Sequence, residues 1–139
     1  MIVAIRISGM PNVPEKMEQA LYRLRLRRKY SAVLLQETQQ NFHILKKVRN
    51  LVSYGAIDAE TLKLLIEQRG VPIPPAKKID AEKIVSSISK KPLHELSVKP
   101  FFRLHPPRGG IEAKKHANAG KNGVLGENKN INELIRRML

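Results

Sequence analysis

No cysteine occurs in the 139 residues, which excludes disulfides, thiolate metal sites and a cysteine nucleophile. That composition fits an intracellular protein. Tryptophan is absent and aromatics make up only 4%, so any core must be aliphatic. Acid is scarce as well: 12 Asp and Glu stand against 26 Lys and Arg, a net charge of +14. No apolar run approaches the length that spans a bilayer. The opening "MIVAIRISGMPN" is apolar for a few residues only and is broken by Arg6, so it does not read as a signal peptide. No Ser-His-Asp pattern, nucleotide-binding loop or dinucleotide fingerprint is present, and "GKNG" at 120–123 lacks the upstream glycine and the hydroxyl residue. His43, His94, His105 and His116 are scattered, with no ligand pair at helical spacing. The chain is therefore expected to be no enzyme and to hold no metal, no cofactor and no small-molecule substrate.

What is present is positive charge. An excess of this size speaks about partners, and the natural ones are nucleic acid or an anionic membrane. A membrane-surface role calls for one basic amphipathic helix with bulky apolar residues. Here the charge is spread: residues 1–57 carry 10 basic and 3 acidic residues, and residues 58–139 carry 16 and 9. Nucleic acid is favoured.

Periodicity gives the elements. "IVAIRIS" at 2–8 reads as a strand, with Arg6 marking an exposed face. Pro14, Glu15 and Glu18 suit a helix start, and Met17, Ala20, Leu21 and Leu24 recur at helical spacing. "AVLLQET" at 32–38 and "LVSYGAI" at 51–57 read as strands, with a helix between them marked by Phe42, Leu45 and Val48. The order strand, helix, strand, helix, strand packs helices over one face of a small sheet. Beyond it, helices are expected near 59–69, 81–90 and 131–138, the last opened by a capping box of Asn130 and Glu133. Residues 105–129 are expected to be a basic, Gly-rich loop, with 111–129 mobile in the free protein.

The run "RLRLRRKY" at 23–30 places Arg23, Arg25, Arg27, Arg28 and Lys29 together. It alternates like a strand, yet Leu24 closes a helix stripe and Leu26 packs just beyond it. The cations then point outward, where arginine forks hold phosphate oxygens. Lys46, Lys47 and Arg49 form a second cluster, read equally as a solvent face or a contact. Phe101 and Phe102 could stack on bases, but with so few aromatics burial is preferred. "HPPRGG" at 105–110 is either a simple turn or a place where backbone N–H groups and Arg108 approach a phosphate.

Three stretches carry a resemblance. "LRLRRKYSAVLLQET" at 24–38, "PFFRLHPPRGG" at 100–110 and "INELIRRML" at 131–139 together resemble the large-subunit ribosomal protein thirty family in its archaeal type, whose eukaryotic relative is large-subunit protein seven. Bacterial members resemble residues 1–57 alone and usually have Gly where this chain has Arg25. The resemblance implies an α+β fold: a ferredoxin-like β-α-β-α-β core over 1–57, with a three-stranded sheet and two helices on one face, plus a mostly helical extension over 58–139. It implies a structural, cytoplasmic role in the large ribosomal subunit, bound to large-subunit rRNA, with five-S rRNA and neighbouring ribosomal proteins within reach. Arg27, Arg28 and Lys29 would be core RNA contacts, and Arg103 and Arg108 would belong to a loop that enters RNA. The full candidate set is Arg23, Arg25, Arg27, Arg28, Lys29, Lys46, Lys47, Arg49, Arg103, His105, Arg108, Lys114, Lys115 and Lys121. The rival reading is a DNA-binding nucleoid or regulatory module, which needs a recognition helix aimed at base edges.

Overall fold

The computed structural model describes residues 1–9, 11–74, 78–111, 113–116 and 123–139. Among them are five helices and six strands in an α+β arrangement. The order is β1 (Ile2–Arg6), α1 (Glu15–Arg23), β2 (Ser31–Leu35), α2 (Gln39–Lys47), β3 (Val52–Ala56), α3 (Ala59–Arg69), α4 (Ala81–Ser87), β4 (Phe102–Arg103), β5 (Ala113–His116), β6 (Gly123–Glu127) and α5 (Ile131–Met138).

The strands join one sheet in the order β4-β2-β1-β3-β6-β5. β1 lies inside it, antiparallel to β2 through Ala4↔Val33 and to β3 through Ala4↔Tyr54. Every residue of β1 is buried. Successive side chains of a strand point to opposite faces, and here both faces are covered. Ile2 and Ala4 join Leu21, Leu24 and Leu26 after and within α1, and Leu45 of α2. Val3, Ile5 and Ile7 join Leu62, Leu65 and Ile66 of α3, Ile84 of α4 and Ile131 and Ile135 of α5. The continuous aliphatic run over residues 2–5 is the expected pattern for burial on two sides.

This changes the sequence reading in three places. The sheet has six strands where three were expected, with helices on both faces. Residues 113–116 and 123–127 form strands within the expected loop. β6 pairs in parallel with β3 through Ser53↔Gly126 and Tyr54↔Glu127, and β5 adds beyond it. Backbone bonds hold this ladder, and Leu125 is its one buried aliphatic, so apolar patterning gave little sign of it. Third, Phe42 is 37% exposed although Leu45 and Val48 are buried. Three-residue steps lag a helix by about 60° each, which carries position 42 off the inward face.

The cap of α5 also differs. Asn130 occupies the N-cap position but its side chain makes no bond to the helix. Instead, the Asn130 backbone N–H donates to Asn128 Oδ1 at 2.9 Å. Asn128 is buried, and its Nδ2 donates to Ser53 Oγ of β3 at 3.3 Å.

The approach of this segment to β3 is close. A Cβ on Gly55 would lie 2.5 Å from the Asn128 carbonyl oxygen and 3.0 Å from Ile131 Cγ2. Gly55→Ala should therefore push α5 off the sheet and cost about 2 kcal/mol in urea unfolding. Gly9→Ala, whose Cβ would meet only Pro11 Cδ at 3.6 Å, should change stability by less than about 0.5 kcal/mol.

Candidate nucleic-acid interface

The basic run is built on a helix end. At the C-terminus of α1 the Leu26 N–H donates to the Leu21 carbonyl at 2.9 Å, and the Arg25 N–H to Tyr22 at 3.0 Å. Arg25 has φ +62°. That bond pair around a left-handed residue is a Schellman motif, with Leu26 meeting Leu21 in the core as such motifs favour. The position usually falls to glycine, so Arg25 holds a strained backbone. Tyr30 is a second left-handed residue, at φ +63°, where the chain enters β2. Between the two turns Leu26 points inward, while Arg25, Arg27, Arg28 and Lys29 are exposed.

Arg6 fixes this turn from below. It is only 1% exposed, which overturns its reading as the mark of an exposed face. Its guanidinium donates to four backbone carbonyls: Ser8 at 3.1 Å, Gly9 at 3.1 Å, Leu26 at 2.9 Å and Arg27 at 3.0 Å. Burial lowers its pKa from the ordinary arginine value, and the charges of Glu18 and Tyr22 act in the opposite sense. An arginine stays protonated through such a shift. A buried charge survives here because its donors are matched by acceptors. The same bonds tie the chain after β1 to the chain before β2.

The sheet then brings in a distant segment. β4 pairs with β2 through Ser31↔Arg103 and Ala32↔Phe102. Phe102 is fully buried in the core, whereas Phe101, half-buried, packs against the α1–α2 side. A groove of about 270 Å³ opens between the two segments, lined by Arg25, Arg27, Arg28, Ser31, Phe101 and Arg103. Arg27 also lies 5.3 Å over the Tyr22 ring, and Lys29 lies 4.9 Å over Tyr30. Ion pairs among the described residues lie elsewhere: the N-terminus with Glu37, Lys63 with Glu82, Lys83 with Asp80, and Arg136 with Glu60. The groove therefore concentrates positive charge with no acidic partner within the described residues. It is suited to a polyanion.

The remaining candidates do not join it. Arg23, in the last turn of α1, and Lys46 and Lys47, in the last turn of α2, are exposed. Arg49 sits beside Gly126 of β6, at the other edge of the sheet, where Lys114 and Lys115 lie exposed on β5. Arg108 and His105 are exposed next to α5: the Arg108 N–H donates to the Arg137 carbonyl at 3.0 Å, and the His105 N–H to Met138 at 2.9 Å. Lys121 lies outside the described residues. The sequence reading missed Tyr22, Ser31 and the true place of Arg6. Arg6 had a signal, since it is the one cation among the aliphatics of β1. Ser31 had none, because only the ladder with β4 turns it into a wall of the groove.

Fold and groove together define a class: a small, strongly basic α+β protein with a rigid arginine-rich face. The chain belongs to the Ribosomal protein L30p/L7e family. The family's model matches residues 2–52, and relatives extend the match to nearly the whole chain. It is 36% identical to Large ribosomal subunit protein uL30 of Aeropyrum pernix, over 97% of this chain and 96% of that protein. It is 33% identical to Large ribosomal subunit protein uL30 of Methanococcus maripaludis, over 97% of each. It is 32% identical to Large ribosomal subunit protein uL30 of Archaeoglobus fulgidus, over 99% of each.

Two substitutions separate the clamp from the turn. Arg6→Met leaves buried carbonyls without donors and should cost about 3 kcal/mol in urea unfolding. Arg25→Gly relieves the left-handed backbone but loosens the unfolded chain. It should leave stability unchanged or raise it by up to about 1 kcal/mol, read as the shift in denaturation midpoint.

Proposed function

We propose that the protein is a structural constituent of the large ribosomal subunit that binds and stabilises folded large-subunit rRNA and helps its assembly. The observation that carries this is the groove: arginines from residues 25–28 and from residue 103 converge on one surface without acidic partners among the described residues. The relatives, matched over nearly the whole chain, are named as large ribosomal subunit proteins, which supplies the anion. The role is structural and not enzymatic, and its place is in the cytoplasm, within the subunit.

The folded part acts as a rigid wedge. Lys and Arg replace the counterions that folded RNA would otherwise collect, and they read backbone and shape. Arg23 and Lys29 extend the contact beside the groove, and Lys46 and Lys47 meet RNA from the last turn of α2. Arg49, Lys114, Lys115 and Lys121, with Arg108 and His105, serve further RNA segments, and five-S rRNA and neighbouring ribosomal proteins belong to the same surroundings. Residues 1–57 are read as the ferredoxin-like β-α-β-α-β core, and residues 58–139 as an extension laid on it. Support for that division is the family model, which covers β1 to the start of β3. DNA reading by α5 is disfavoured. The helix spans only Ile131–Met138. Its Arg136 bonds Thr61 and Glu60, and its Arg137 donates to the Arg108 and Gly110 carbonyls.

Salt titration tests the reading. Each phosphate neutralised contributes a slope of about −0.7 to −0.9 in log affinity against log salt. Changing Arg27 and Arg28 together to Ala should weaken binding to large-subunit rRNA and flatten the slope by about one to two contacts. Stability should move by less than about 0.5 kcal/mol, since both side chains are exposed. An unchanged slope with a large loss of stability would reverse the assignment.

A further inference from the structure

We propose that the groove between the 25–28 turn and β4 is a subsite for a single unpaired nucleotide of folded RNA, with its phosphate on the arginines, its ribose hydroxyl on Ser31 and its base against Phe101. This rests on the RNA reading above and says which RNA element the groove accepts.

The lining is mixed in a way that a phosphate ridge alone does not require. Four arginines supply the walls, and a phenyl ring and a hydroxyl complete the surface. Phosphates gain from the guanidinium groups and nothing from an apolar ring. A base gains from both, since its π-face stacks on aromatic rings and on guanidinium planes. In a closed duplex the bases are stacked inside the helix and cannot reach a concave surface. An unpaired nucleotide, bulged or looped, can.

The parity of β4 strengthens the case. Phe101 and Phe102 are neighbours, and adjacent residues along an extended chain face opposite sides. Phe102 is used up in the core. Phe101, partly buried against the α1–α2 core, also lines the groove, in a protein with only three phenylalanines. Ser31 stands opposite Arg103 in the ladder, buried at the floor with 7% exposure, and is the only neutral hydroxyl in the lining. A hydroxyl both donates and accepts, which matches the ribose 2′-OH, whereas deoxyribose offers acceptor oxygens only.

The groove is also assembled before any ligand arrives. Arg25 keeps its left-handed backbone, Arg6 holds the carbonyls of Leu26 and Arg27, and the ladder to β2 fixes Arg103. Gathering like charges and a strained residue at one surface opposes folding. Such costs persist where a bound group offsets them.

The test titrates the full-length protein, at one salt concentration, against three probes. These are a fully paired RNA hairpin, the same hairpin with one unpaired 2-aminopurine, and the DNA version of the second. The bulged RNA should bind roughly tenfold more tightly than the paired one, the worth of one stacked base. Fluorescence of the 2-aminopurine should be quenched on binding. Phe101→Leu should abolish both the preference and the quenching and leave the salt slope intact. Ser31→Ala should narrow the margin of RNA over DNA. Equal affinity for paired and bulged RNA, without quenching, overturns the subsite and leaves the RNA reading standing. Affinity for RNA no greater than for DNA of the same shape, again without quenching, overturns the RNA reading itself. Melting curves check that each variant folds. If Phe101→Leu does not, the wild-type comparison and its quenching decide alone.

Discussion

The guanidinium of Arg6 is the joint on which the arginine-rich face turns. It takes a charge out of water, which is costly, and offsets that cost with four bonds to backbone carbonyls. No apolar residue could do the same, because the carbonyls of Ser8, Gly9, Leu26 and Arg27 would then be left without donors. The fork is planar and its donors are fixed, so the two chain segments it joins are held in orientation as well as in distance. Backbone position decides where Arg25, Arg27 and Arg28 project. A buried cation thus sets the geometry of the exposed ones.

The second constraint is the two-sided sheet. β1 presents aliphatics to both faces, so residues 1–57 alone would leave Val3, Ile5 and Ile7 against water. Helices α3, α4 and α5 cover them. The later half of the chain is therefore needed for the core and for the site, because it also supplies β4. Arg103 reaches the groove only because Phe102 beside it is locked into that core. Packing on one face positions charge on the other.

Legibility in the sequence followed the kind of force involved. Elements held by apolar burial were readable: the stripe of Leu21 and Leu24, the inward turn of Leu26, and the aliphatic β1. The outward cations followed from the same periodicity. The family resemblance named the right relatives from three quoted segments. What stayed hidden was held by hydrogen bonds. Arg6 was assigned to solvent because a cation in a strand usually sits there, and only four matched carbonyls make the exception. β6 pairs through its backbone, so its side chains say little. Asn130 stands at the start of α5 without a side-chain cap, and its own N–H is held by buried Asn128, which nothing in the spacing foretells. The groove itself depends on Ser31 meeting Arg103, a pairing that no local pattern encodes.

Net charge overstates the interface for the same reason. Several of the cations behind the +14 total are already used inside the protein. Arg6 is buried, Arg136 is bound to Thr61 and Glu60, and Arg137 holds the turn at Arg108 and Gly110. The pairs of Lys63, Lys83 and Arg136 with acidic neighbours already cancel in that total, so the overstatement comes from cations held by neutral carbonyls. A cation committed to an internal partner neutralises no RNA phosphate and adds nothing to the salt slope. Affinity must come from the exposed arginines and lysines that lack such partners. Among these, Arg25, Arg27, Arg28 and Arg103 line the groove, and Lys114 and Lys115 lie exposed on β5 at the far end of the sheet order. On the proposed function, cations at both ends of the sheet suit a body lodged between RNA elements, whereas one flat anionic surface would engage a single end.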